Sequence, residues 1–528
     1  MWLKNVSGYT KINNFKKSAP LFLQLMKGCL LFMLMLPFML QAQTADILKV
    51  ANEISLTDLQ SNVYKLASPE MEGSFAGSHG DTLAAEYIAD WFKKNHLVAP
   101  YNNGTGYFQS VPLHKIIITK EDVTVSGKKY RQFDDWYLFP GSTYKSINIH
   151  SLPIVFGGYG IVSDRYNDLL GEDVEGKVVI IMQVQAADKV TELLARSTRA
   201  SINADYLKNL SEKGAAAVLV VTNDFDRSAK ALKISGALRA YRNPETVLSP
   251  LPRLYVSEKM INELLQRNDV SLQSLMINMR RSRRPLPFLT KATIDIAINI
   301  DSIKQQAPNV IGIIKGKDTT AEAVVIAAHH DHLGKRSGQI FYGASDNASS
   351  SAALMEIAKL MQKAAQSGLR PKRSIVFTSF TGEEIGLSGS AYYMQHPVYA
   401  NNKTWAQFNL GAMGSADSFH AGKADSNYTY FLIRDTLKHG LHNSMVTSNE
   451  LIKLNLDNGY QEPQFPNRWL INTDAISFYM KSISVIQTGS GYPLRFHQST
   501  DTPDKINFAL LSLQTRHAFL TLWNIANK

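Results

Sequence analysis

The stretch Ala323-Val324-Val325-Ile326-Ala327-Ala328-His329-His330-Asp331 decides the fold. Six small or β-branched apolar residues end abruptly in imidazoles and a carboxylate, the pattern of a buried strand whose carboxyl end carries polar side chains. Further along, apolar residues at 353, 354, 357, 358, 360, 361 and 364 predict a helix over 350–366. Gly368 stops it, and Asp346 stands just ahead of its start. Ser374-Ile375-Val376-Phe377-Thr378-Ser379-Phe380 predicts a second strand that runs through Thr381-Gly382 into Glu383-Glu384. A third, Ile483-Ser484-Val485-Ile486, precedes the loop holding His497. Strand, helix and strand in alternation predict an α/β domain with a mainly parallel sheet. The polar groups should then gather at one rim, where open sheets assemble their sites.

Those residue types suit one chemistry. Neutral imidazole and carboxylates bind Zn²⁺, and a catalytic zinc keeps three protein ligands and one position for water. Asp346, Glu384 and His497 would supply that trio. Asp331, two residues beyond His329, is placed to accept the proton of that ring's other nitrogen and so orient it. Of the adjacent glutamates one can coordinate while the other takes a proton from the attacking water, and Glu383 is assigned as that base.

Four blocks carry a resemblance: Ala328-His329-His330-Asp331-His332-Leu333-Gly334, Gly343-Ala344-Ser345-Asp346-Asn347-Ala348-Ser349, Phe380-Thr381-Gly382-Glu383-Glu384-Ile385-Gly386-Leu387-Ser388-Gly389-Ser390 and Phe496-His497-Gln498-Ser499-Thr500-Asp501-Thr502. In order and spacing they resemble the zinc exopeptidases of the bacterial leucyl aminopeptidase and glutamate carboxypeptidase type. The resemblance implies a phosphorylase/hydrolase-like α/β domain with a parallel sheet, a peptide or protein substrate and one or two Zn²⁺ ions. It also implies that Asp346 bridges two metals, with His329 serving one, Glu384 and His497 the other, and Glu383 as general base. The family's remaining ligand, an aspartate in Asn-Leu-Asp-Met-x-Gly, aligns with Gly411 in Asn409-Leu410-Gly411-Ala412-Met413-Gly414. Asp417 and His420 are the nearest replacements in sequence.

Other positions depart from the family. Thr473-Asp474-Ala475 stands where Ser-Asp-His is usual, Ser482-Ile483-Ser484 where Gly-Ile-Pro is, and Ser345 and Ser350 replace an aspartate and a glycine. Gly411 and Ala475 favour an alternative, a silent binding protein on the same fold. The surviving trio also admits a single-zinc enzyme like the glutaminyl cyclases. For His330, His332, His420 and His442 the expectation is an exposed or hydrogen-bonded histidine with no role in the site.

The first 43 of the 528 residues hold five lysines and no acid, then an apolar run from Cys29 to Leu40. Twelve residues fall short of the roughly 20 that a spanning helix needs, so 1–43 reads as a signal peptide, with Met26 an alternative start. Export to the periplasm or outside the cell is expected, with no stable membrane span once the signal is removed. Cys29, the one cysteine, would leave with the signal, and the net charge would fall from +11 to +6. That excess is too modest to argue for nucleic acid.

Residues 44–148 and 291–528 are expected to form the peptidase domain. Between them, 149–285 carries Ile154-Val155-Phe156-Gly157-Gly158-Tyr159-Gly160, Gly176-Lys177-Val178-Val179-Ile180-Ile181 and Gly214-Ala215-Ala216-Ala217-Val218-Leu219-Val220-Val221. This segment resembles the β-rich protease-associated domain often inserted in these peptidases, with a lid or recognition role implied. Arg280-Arg281-Ser282-Arg283-Arg284-Pro285-Leu286-Pro287 closes it as a solvated linker. Gly157-Gly158-Tyr159-Gly160 lacks the spacing of a dinucleotide fingerprint, and Gly386-Leu387-Ser388-Gly389-Ser390 misses the second glycine of a nucleophile elbow.

Overall fold

The structure is a computed structural model and describes residues 45–138, 146–163, 166–183, 199–234, 241–242, 251–282, 284–318, 322–336, 338–423, 427–437, 439–461 and 469–528. The expected signal peptide lies outside these residues.

Strand Ala323–His329 forms at the centre of a sheet, parallel to Ser374–Phe380 on one side and Thr404–Gly411 on the other. Ser484–Gly489 continues the parallel run beside Thr404–Gly411, Tyr428–Arg434 lies antiparallel to Ser484–Gly489, and Asn455–Asp457 forms the edge parallel to Tyr428–Arg434. All seven residues of Ala323–His329 are buried. Val324, Ile326 and Ala328 enter the core beneath helices Ser349–Gln366 and Phe508–Asn527, whereas Ala323, Val325 and Ala327 face Phe478 and Trp469 on the opposite side. Burial on both faces is why the strand is apolar throughout instead of alternating. Each large side chain so buried, such as Phe377 or Phe408, contributes about 1.5–3 kcal/mol.

Helix Ser349–Gln366 begins within a residue of its expected start and is buried on most of its circumference. Its outer side receives helix Leu56–Leu66, where the buried Glu356 accepts from Ser55 N at 2.9 Å and pairs with Lys359 at 2.8 Å. The three serines at its start act as stitches: Ser351 Oγ donates to His329 O, Ser349 Oγ to Met413 O, and Ser350 Oγ accepts from Met413 N. The helix start, the end of the central strand and the turn after Gly411 are thereby fixed relative to one another.

Strand Phe288–Ile314 joins two halves of the molecule. Its first part pairs with Ile147–Phe156, its last part with Ser374–Phe380, and along most of its length it runs antiparallel to Phe108–Val125. From Ile147–Phe156 the sheet continues in parallel through Val178–Met182, Ala217–Val221 and Arg253–Val256. The segment expected to be β-rich also carries helices Arg199–Glu212, Phe225–Ile234, Glu258–Leu265 and Leu272–Ser282. It has core clusters of its own on the two faces of these strands. In its Gly157–Gly160 loop the buried Asp168 accepts from Tyr159 N and Ile161 N. Arg280 and Arg281, expected in a linker, lie in the last turn of Leu272–Ser282.

Candidate metal centre

The structure brings His329, Asp331, Asp346, Glu383, Glu384 and His497 to one rim of the parallel sheet. His329 ends the central strand, and the glutamates follow Ser374–Phe380. Asp346 lies in the turn Ala344–Ala348 that feeds helix Ser349–Gln366. This turn is clamped from the far side by Asp501, whose carboxylate accepts from Ser345 N, Ser345 Oγ and Asp346 N.

Asp331 orients its neighbours, though not as the sequence suggested. Its carboxylate accepts from Glu383 N at 3.1 Å and Glu384 N at 3.2 Å, which locks the glutamate turn. The His329 Nδ1 meets the Asp331 backbone carbonyl at 3.1 Å, while the carboxylate stands 3.6 Å off. Either way the Nε2 of His329 is aimed at Asp346 Oδ1, 3.6 Å away.

Around the other oxygen of Asp346 the groups are closer. His497 Nε2 lies 3.2 Å from Asp346 Oδ2 and 3.2 Å from Glu384 Oε2. His332, expected to stand outside the site, is buried within it: its Nδ1 is 2.9 Å from Glu384 Oε1 and 3.8 Å from Asp346 Oδ2. The correction has a physical reason, because Gly334 N donates to Gly73 O and His332 N to Ser74 O, which folds the loop after Asp331 back over the glutamates.

His332, Asp346 and Glu384 offer ligand atoms all within 4.8 Å of one another. His332 Nδ1, Asp346 Oδ2 and Glu384 Oε1 are buried without an aligned hydrogen-bond partner. Each such atom left unpaired costs about 1–3 kcal/mol, so the cluster fits a cation that would satisfy all three. Imidazole and carboxylate with no thiolate is a donor set for zinc.

The charges respond to one another. Burial pushes the Glu383 carboxyl well above the usual carboxylate range, opposed by His329 and aided by Glu384, Asp474 and Asp346. Glu384 is carried down to about 2, with His497 and His332 outweighing burial and Asp346. Against burial, Glu384 and Asp346 raise the His497 imidazole to about 10.

Gly411 ends its strand facing the same cleft, and its backbone is one any residue can adopt. A Cβ there would meet Gln487 Nε2 at 2.8 Å. Gln487 is fully buried, and Asn409 Nδ2 donates to its Oε1 at 2.8 Å, which turns its NH₂ toward the space a side chain at 411 would use. Neither suggested replacement ligand reaches the cleft. Asp417 and His420 bond to each other at 2.9 Å, with Tyr430 on Asp417 and Asp457 on His420. Ala475, read as an edit of the rim, is instead fully buried in the core cluster with Phe478 and Trp469. Asp474 beside it is buried too, and desolvation lifts its carboxyl to about 6.

The site opens into a cleft of about 370 Å³. Asp346, Glu383 and Glu384 form its polar floor, and Leu387, Trp469, Ile471, Tyr492 and Phe496 its apolar wall. No lysine or arginine, and no residue of 149–285, is among the described residues that line it.

An α/β domain with this rim of imidazoles and carboxylates has the architecture of a zinc exopeptidase. Residues 309–519 match the model of Peptidase family M28. The chain is 23% identical over 382 residues to a glutamate carboxypeptidase 2 homolog of Caenorhabditis briggsae, covering 65% of this chain and 47% of that protein. It is 31% identical over 114 residues to aminopeptidase YwaD of Bacillus subtilis, covering 21% and 23%. The chain thus spans less than half the length of either relative. Among solved structures, the aminopeptidase from Aneurinibacillus sp. strain AM-1 shares the fold with a TM-score of 0.56 and 18% identity, over 90% of this chain and 95% of that one.

Proposed function

We propose that this chain is an exported zinc aminopeptidase. The observation that carries the reading is the cleft itself: a base, a metal-ligand cluster and an excess of carboxylates share one floor, with no lysine or arginine among its described residues. A substrate's free α-ammonium suits such a floor, whereas an α-carboxylate would find like charge there. Export rests on the lysine-bearing, acid-free leader and its apolar run.

Zinc, when bound, would polarise the scissile carbonyl and acidify water. Asp346, Glu384 and His497 would hold it, with His329 at the other oxygen of Asp346. Glu383 receives the proton of the attacking water and returns it to the leaving amine, a role that suits a carboxyl whose proton affinity burial has raised. Asp331 fixes the direction of that carboxyl through the two backbone N–H groups it accepts. The wall of Leu387, Trp469, Ile471, Tyr492 and Phe496 gives an apolar side chain somewhere to rest.

The test is hydrolysis of aminoacyl p-nitroanilides with leucine or phenylalanine, beside their N-acetylated forms. Cleavage confined to the free amines is expected, and equal cleavage of the acetylated forms would overturn the aminopeptidase reading. Gly411, which leaves His329 and Asp346 Oδ1 without a third ligand, favours a second reading as a single-zinc cyclase. That enzyme would release ammonia from N-terminal glutamine and leave the anilides intact.

A further inference from the structure

The four imidazoles and carboxylates around Asp346 Oδ2 and Glu384 form a denser set than the three-ligand centre proposed above needs. Donor atoms bound to one tetrahedral zinc at about 2.0–2.2 Å stand roughly 3.3–3.6 Å apart. Four of the separations bracket that range: 2.9 and 3.8 Å from His332 Nδ1 to Glu384 Oε1 and Asp346 Oδ2, and 3.2 Å from His497 Nε2 to Asp346 Oδ2 and to Glu384 Oε2. At 2.9 Å, His332 and Glu384 would make a strong hydrogen bond if they were aligned. They are not, so a lone pair on each is left for a third party.

The position of the ring is built into the backbone. Gly343 adopts φ +63° directly against it, and a Cβ at 343 would lie 2.5 Å from His332 Cγ and 2.7 Å from its Cδ2. From the other side, the Glu72–Ser74 turn holds the His332 backbone through Ser74 O. His332 and His497 approach the Glu384 carboxylate at different oxygens, Oε1 and Oε2, with ring centroids 5.7 Å apart.

We propose that His332 is a ligand of the zinc held by Asp346, Glu384 and His497, so that one ion carries two imidazoles and two carboxylates. The inference rests on zinc as the ion of the proposed function. With it, the donors of the centre are redistributed: one carboxylate is lost on the His329 side at Gly411, and one imidazole is gained on the Glu384 side at His332. Four protein donors fill the positions that a tetrahedral zinc offers, leaving water to enter by expansion to five or by displacement of one ligand.

The test counts ligands on the zinc-loaded full chain, without reference to turnover. X-ray absorption together with elemental analysis should give one zinc and two imidazoles per ion in the unaltered chain, falling to one imidazole in His332→Ser. Cobalt(II) substitution should give the intense visible bands of a four-coordinate ion, and these should weaken in His332→Ser as water enters. Zinc affinity of that variant should fall at least roughly tenfold, the lower end of what weakened support of a ligand already costs. One imidazole per zinc in the unaltered chain, a measurement that does not depend on the variant folding, overturns the inference and leaves the peptidase reading intact. Absence of zinc binding overturns both. Two imidazoles on one zinc with no hydrolysis of any anilide supports the inference and overturns the peptidase reading.

Discussion

The two oxygens of Asp346 look onto different surroundings. On the Oδ2 side, His332, Glu384 and His497 crowd to within 2.9–3.8 Å of one another's ligand atoms or of Asp346. On the Oδ1 side there is His329 at 3.6 Å, and then a glycine and the amide of Gln487. An amide N–H repels a cation where a carboxylate would attract one, so under the proposed function the same scaffold would offer one strong metal position and one weak one. Loss of a ligand need not silence such a centre if the remaining position keeps its base, and Glu383 belongs to both sides.

The largest effect expected is that of Glu383→Gln. Hydrolysis should fall by about 10²–10⁴-fold while zinc content stays at the unaltered level, because the side chain moves a proton and does not hold the ion. Unchanged turnover would remove Glu383 from the chemistry on both sides of Asp346. Next is Gly411→Asp, which should raise the zinc count from one to two by elemental analysis. The new side chain meets only the flexible end of Gln487, so a gain is expected alone and a tighter second ion in the double variant with Gln487→Ala. Two tight zincs in the unaltered chain would break the comparison outright.

A third effect concerns protons. In the metal-free chain the carboxylates hold His497 protonated up to about pH 10, so zinc must expel that proton on binding. Apparent zinc affinity should therefore rise with pH below that value, by about tenfold per unit for each proton released. Calorimetry in buffers of different ionisation enthalpy reads the number released, and zero protons at pH 7 would contradict the charge state of the Oδ2 side. The smallest effect is that of Gln487→Ala alone. It leaves Asn409 Nδ2 without its acceptor and should cost about 1–3 kcal/mol in thermal unfolding, with the zinc count unchanged.

Strand Ala323–His329, helix Ser349–Gln366 and strand Ser374–Phe380 were legible because burial imposes a period that a few residues suffice to display. The site residues that end or follow those elements were legible with them. His332 and Gln487 were not, since each reaches the site only through contacts far away in sequence, the turn at Glu72–Ser74 for one and the strand partner Asn409 for the other. Ala475 misled for a simpler reason: the five-residue helix Ala475–Tyr479 rotates it into the core, and adjacency to Asp474 says nothing about that rotation. In 149–285 the three apolar runs emerged as strands Ile147–Phe156, Val178–Met182 and Ala217–Val221, but Arg199–Glu212, the one described helix between them, lacks a long apolar stripe that would have announced it.

The long pairing of Phe108–Val125 with Phe288–Ile314 also governs the order in which this molecule can come into being. Phe108 meets Val310 across about two hundred residues of intervening chain, and only then can Val310–Ile314 offer an edge to Ser374–Phe380. Ring closure over such a span is entropically costly and slow, so the amino-terminal helices wait as an unfinished half for a partner made much later. Under the proposed export, a chain that crosses a membrane before folding would gain from this delay, since it would stay threadable until Val310 has been made. A fragment ending before Phe288 should accordingly show no protease-resistant peptidase core, whatever becomes of the insertion.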